Sequence, residues 1–179
     1  MLARVFLSLL LMVCLSQCAG GGGSYGSGRG GARWRPSRIP GRTAVLYPNG
    51  KAWLPANAPI RVHNAIAAAN RIAGRPYVWG GGHARLEDRG YDCSGAVSYV
   101  LNYAGVLRGC GTSDAFRRFG QAGRGEWITV YAKDGHTFLE IAGLRFDTGS
   151  RGNDRSTGPH WTLKERSLSG FRARHPSGL

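Results

Sequence analysis

Arg75-Pro76-Tyr77-Val78-Trp79-Gly80-Gly81-Gly82-His83, followed shortly by Asp92-Cys93-Ser94-Gly95, decides how the rest of this 179-residue chain is read. Pro76 stiffens the approach, and the glycines permit a tight turn or a close backbone contact. Beyond them, Ala96, Val97, Val100, Leu101 and Ala104 recur at helical spacing, so a helix is predicted from Cys93 to Ala104. Asp92 is its N-cap and Gly105 its stop. Cys93 then lies in the first helical turn. There the unpaired N–H groups and the helix dipole favour an anion, and its thiol pKa is expected to fall. That is the placement expected for the nucleophile half of a thiol hydrolase. A Cys93–Cys110 disulfide is the bland alternative, and it would silence that nucleophile.

Working outward, Pro59 opens a second helical pattern in which Val62, Ala65, Ile66, Ala69, Ile72 and Ala73 form one apolar stripe, closed by Gly74 and Pro76. After a loop containing Cys110 and Arg117-Arg118, the period changes to alternation. Trp127 to Tyr131 reads as a strand, Asp134-Gly135 as a two-residue hairpin turn, His136 to Ile141 as the returning strand, and Leu144 to Thr148 as a third. The residues from Gly158 to Trp161 read as a loop over the cleft, and Phe171 to Pro176 as a last short strand. Antiparallel strands packed on two helices make the fold class α+β. His136 opens its strand directly after a turn, where its ring can face a helix terminus, and it is the candidate general base.

The third polar group is left open between Asp147 and Thr148, because strand parity depends on the turn. A two-residue turn at Gly143-Leu144 brings Asp147 to the His136 face. A three-residue loop centred on Gly143 brings Thr148. His160 is a further option.

The formal charge of +14 is unevenly placed. Residues 20–86 hold ten Arg and Lys and no acid, and all ten carboxylates lie at Glu87 or later. Such a field attracts polyanions, whether nucleic acid, anionic lipid or a carboxylate-rich wall. Residues 1–19 read as an export signal, with Arg4 before an apolar run from Val5 to Leu15 that is too short to span a bilayer. Leu15-Ser16-Gln17-Cys18 resembles a lipoprotein box with Cys18 as the lipidated residue, although Gln17 departs from the small residue usual there. Residues 20–58 read as a Gly/Arg-rich flexible tether and 59–179 as the catalytic domain. The Arg-Gly-Gly tail alone suits RNA, but export argues against nucleic acid as partner. The four cysteines, at 14, 18, 93 and 110, show no metal-ligand spacing.

Pro76-Tyr77-Val78-Trp79-Gly80-Gly81 with Asp92-Cys93-Ser94-Gly95, then Asp134-Gly135-His136 on a strand, resembles the NlpC-type family of cell-wall cysteine peptidases over roughly Ile60 to Thr148. The resemblance implies a papain-like fold. It makes Cys93 the nucleophile, His136 the base, Tyr77 a partner of the Cys93 N–H in holding the oxyanion, and Trp79 a cleft wall. It implies peptidoglycan as substrate, cut at the D-glutamyl–diamino acid bond without metal or cofactor, by an exported, monomeric enzyme of the bacterial envelope. Arg85 beside His83 is a candidate clamp for the carboxylates of the peptide stem. Relatives carry His, Asn or Gln at the third position, so Asp147 and Thr148 both depart from the pattern. The competing expectations are a non-catalytic wall or anionic-lipid binding module that keeps the fold, and an amidase or acyltransferase of another substrate class.

Overall fold

Small and β-branched side chains set the first layer. Helix α1 (Ile60–Ile72) buries Val62, Ala65, Ile66, Ala68, Ala69 and Ile72, the predicted stripe with Ala68 added and Ala73 left half-buried beyond its end. Pro59 is its N-cap, and Ala73 ends it in an extended conformation. Helix α2 (Cys93–Tyr103) packs on α1 and buries Ala96, Val97, Val100 and Leu101. A third, four-residue helix, α3 (Ser113–Phe116), is capped by the Thr112 side chain and buries Phe116, in a segment the sequence presented as loop. This computed structural model describes residues 31–36, 39–54, 56–149 and 157–179. The expected export signal, Cys18 and residues 20–30 of the expected tether lie outside the described residues.

The second layer is a six-stranded antiparallel sheet ordered β4 (Gln121–Ala122), β10 (Arg172–His175), β5 (Ile128–Lys133), β6 (His136–Ile141), β7 (Leu144–Asp147) and β8 (His160–Thr162). The Asp134-Gly135 hairpin is the expected two-residue turn, with Lys133 opposite His136. Alternation then sorts the side chains. Ile128, Val130, Ala132, Leu139, Ile141, Leu144 and Phe146 join the helices in the main core. Tyr131 and Phe138 point the other way and form a second cluster. Helices on one sheet face with antiparallel pairing throughout is the predicted α+β class.

Three expectations are corrected. Residues 160–162 are not a loop over the cleft but edge strand β8. It is held because Trp161 is buried against Phe146 with ring centroids 4.9 Å apart, and because its Nε1 donates to Asn70 Oδ1 at 2.9 Å. The turn between β6 and β7 has two residues, but they are Ala142-Gly143, both at positive φ, and not Gly143-Leu144. The third correction concerns the tether over 20–58, whose described part is not free chain. Strand β1 (Arg33–Trp34) pairs with β9 (Arg166–Ser167), and the hairpin of β2 (Val45–Leu46) and β3 (Ala52–Trp53) lays Ala44 and Ala52 into the main core. Trp34 is 1% exposed, lies in the second cluster, and donates its Nε1–H to Glu140 Oε2 at 3.0 Å. Glycine-rich composition describes the neighbours of this tryptophan but says nothing of the apolar surface it covers.

Trp34→Ala should therefore lower the unfolding free energy by about 3–5 kcal/mol, the usual cost of emptying a buried tryptophan site. Urea denaturation reads this, and an unchanged midpoint would return residues 31–36 to the status of a passive tether.

Candidate active site

Asp92 fastens the glycine turn to the start of α2. Its Oδ1 accepts the Gly95 N–H at 2.7 Å as the predicted helix cap, and also the Ser94 hydroxyl at 3.1 Å. Its Oδ2 accepts the Gly80 N–H at 3.1 Å, and its own N–H donates to the Gly81 carbonyl at 3.3 Å. One carboxylate thus serves two segments of the motif. The contact is tight enough that a Cβ on Gly95 would overlap the Gly81 carbonyl oxygen, so that glycine is a steric requirement. His83 Nε2 lies 3.1 Å from both Asp92 Oδ1 and Ser94 Oγ, which commits this ring to the same knot. Arg85 is largely exposed, 3.8 Å from Asp88.

Tyr77 is held by a parallel bridge to Tyr91, with the Tyr91 N–H donating to the Pro76 carbonyl at 3.0 Å. Burial first, then the charges of Cys93 and Asp92, push its phenol above the ordinary tyrosine pKa. At neutral pH it is therefore a hydroxyl donor in the neighbourhood of Cys93. Trp79 is 87% exposed, at the lip of the turn. Cys93 is half-buried, and it and Cys110 are both free thiols, so the bridged alternative is not what the structure holds. The Cys110 thiol instead donates to the Gly82 carbonyl at 3.1 Å.

His136 arrives from the first position of β6. Its ring is hydrogen bonded through Nε2 to Asp147 Oδ1 at 2.9 Å, with Phe171 at its edge and the Cys93 side chain close enough to act on its pKa. Burial disfavours a charged ring here. The hydrogen bond to Asp147, then the Cys93 side chain, and the charge of Asp147 outweigh it, while Arg166 opposes. The balance pushes the His136 pKa up to about 9.

The two-residue turn settles strand parity in favour of Asp147. Thr148 is not at the ring. Its N–H donates to Asp147 Oδ1 at 2.8 Å, while its buried hydroxyl has no hydrogen-bond partner among the described residues. His160 sits across from Asp147 in the sheet, and its Nδ1 is turned to the Gly158 carbonyl at 2.8 Å. The other oxygen of Asp147 is occupied by two residues that the sequence reading missed. Arg166 Nη1 lies 2.9 Å and Arg145 Nε 3.5 Å from Oδ2, and the Asp147 side chain is fully buried. Arg145 shares the Asp147 face of β7 by simple alternation, a signal that was present in the sequence. Arg166 comes from a segment with no periodicity and offered none.

Because the folded pKa of His136 is raised, its contribution to stability is complete below pH about 6.5 and disappears as pH rises through about 9. The stability advantage of the wild type over His136→Gln should shrink across that window by an amount on the order of 3 kcal/mol. Urea titrations at several pH values check it, and a gap that stays constant or widens would contradict the pairing with Asp147.

No family model matches the chain. The chain is similar to a peptidoglycan DL-endopeptidase of Bacillus licheniformis, CwlO, with 31% identity over 142 residues. The alignment covers 70% of this chain and 29% of that protein, so the chain spans less than a third of its relative's length. Set beside the paired motifs, this likeness supports the NlpC-type family of cell-wall cysteine peptidases for the chain.

Proposed function

We propose that the chain is an exported cysteine endopeptidase of peptidoglycan with a papain-like arrangement, in which Cys93 is the nucleophile, His136 the general base and Asp147 the orienting group. The observation that carries this reading is the ring of His136, hydrogen bonded to a buried carboxylate and close enough to the thiol at a helix start to be influenced by it. With Nε2 given to Asp147, Nδ1 is the nitrogen left for the sulfur. Asp147 fixes the ring's orientation and stabilises it as imidazolium.

In the reaction, Cys93 attacks as thiolate on an amide carbonyl of the peptide stem, and a carbon–sulfur bond forms as the carbonyl π electrons move to oxygen. The N–H of Cys93, unpaired in the first helical turn, and the Tyr77 hydroxyl hold that oxyanion. The upward-shifted phenol suits the role, because it stays protonated. Protonated His136 gives its proton to the departing amine as the carbon–nitrogen bond breaks. The neutral ring then takes a proton from water, which attacks the thioester and frees the acyl group and Cys93. The substrate class rests on the likeness to the Bacillus endopeptidase, and the D-glutamyl–diamino acid bond on the family resemblance. The cationic surface is a fitting partner for the carboxylates of the stem.

Digestion of purified peptidoglycan tests this, with muropeptides identified by mass. The wild type should release products of D-glutamyl–diamino acid cleavage, and Cys93→Ala none. Asp147→Ala should cost about a hundredfold or more in rate, while Thr148→Val stays near the wild type. Equal product profiles for wild type and Cys93→Ala would overturn the enzyme reading and leave a wall-binding module. Products of another bond would move the specificity and keep the chemistry.

A further inference from the structure

Asp147 can serve His136 only if its carboxylate stays turned toward the ring, and the structure holds a competitor for it. Arg145 is 1% exposed, lies over the rings of Trp34 and Phe138, and has no hydrogen-bond partner for Nε or Nη1 among the described residues. A buried guanidinium with unmet donors 3.5 Å from Oδ2 pulls the carboxylate away from the imidazole. Opposing that pull are the Thr148 N–H on Oδ1 and the Arg166 guanidinium on Oδ2. Arg166 is itself placed firmly. Its guanidinium lies 5.4 Å from the centroids of both Phe138 and Phe171, and its backbone is fixed by the pairing of Trp34 with Arg166. The Leu168 N–H donates to the Ala32 carbonyl at 2.7 Å, closing the same strap, and exposed Glu165 meets Arg33 and Arg35.

We propose that Arg166 is a positioning residue, which clamps the Asp147 carboxylate in register with the His136 ring against the pull of Arg145. Strand β1, upstream of the region that carries the family motifs, anchors the strand from which Arg166 reaches. The site is in this way completed by a segment of chain outside those motifs. The inference rests on the catalytic reading of His136 and Asp147 but does not need a substrate to be tested.

The charged and titratable groups around the ring give two opposite expectations. Facing it or its partner are Asp147, Cys93, Arg166 and Arg145, with His160 across from Asp147 on β8. Lys133 stands opposite it on β5 with Nζ 4.9 Å from the Phe171 centroid, and the buried Glu140, paired with Arg124 and Tyr131, lies further along the same sheet face. If Arg166 were only a nearby positive charge, removing it would make the imidazolium easier to form and raise the midpoint of His136. If it is the clamp, removing it lets Asp147 turn to Arg145, and the midpoint falls.

Titration of the His136 ring by NMR in the full chain, with Arg166→Gln, Arg166→Lys and the control Lys133→Gln, separates the two. The proposal expects Arg166→Gln to lower the midpoint by about one pH unit or more. Arg166→Lys should lower it less, because an ammonium restores one donor, and Lys133→Gln should not lower it. Should Arg166→Gln fail to fold, Arg166→Lys carries the same test by its sign. A rise or no change on altering Arg166 overturns the proposal. Because the titration is read on the free protein, failure to cleave wall peptides would sink the substrate reading without touching this result.

Discussion

A single buried carboxylate has to be shared among cations for this site to exist. Asp147 receives His136 and the Thr148 N–H on one oxygen and Arg166 on the other, with Arg145 close by. Removing a carboxylate from water is costly unless its lone pairs are satisfied and its charge is matched. Asp147 meets that condition, and the imidazole gains from it, since its hydrogen bond to Asp147, and then the charge of that carboxylate, favour the protonated ring despite burial. The surroundings follow from this need. The second sheet face is closed by Trp34, Tyr131 and Phe138, so that the ion pairs lie in a setting where geometry counts for more than in water.

The other half of the site depends on Asp92 in a comparable way. Its two oxygens tie the glycine turn to the first turn of α2. The turn carries Tyr77 and Trp79, and the helix carries Cys93, so one side chain fixes the proposed nucleophile relative to its proposed oxyanion donor. Gly95 against Gly81 is the steric complement of that bond. Two carboxylates, 55 residues apart in sequence, thus each organise one half of the site, and the halves meet where Cys93 comes close to His136.

Much of this was legible in the chain because local chemistry and global fold agree. The Asp92 cap, the Asp134-Gly135 turn and the apolar stripes of both helices depend on neighbours within a few residues, and each was read with the right element. Asp147 was reachable only as one of two alternatives. Its side depends on the length of a turn whose first residue is Ala142, a type that rarely takes positive φ and so gave no warning. Trp34, Trp161 and Arg166 were missed or misplaced for a different reason. Each is held by partners far away in sequence, Glu140, Asn70 and Asp147 respectively, inside segments with no period of their own. Composition marked those segments as loop or tether, and tertiary contacts overrode it.

The account turns on the thiol of Cys93 and the imidazole of His136 working as a pair. The most direct test is the rate at which iodoacetamide alkylates Cys93 at pH 7, measured by intact mass for the wild type and for His136→Ala. An imidazole beside the sulfur assists its attack, so the variant should react about tenfold more slowly or worse. Equal rates in the two proteins would mean that the ring does nothing for the sulfur, and the hydrolase would have to be abandoned.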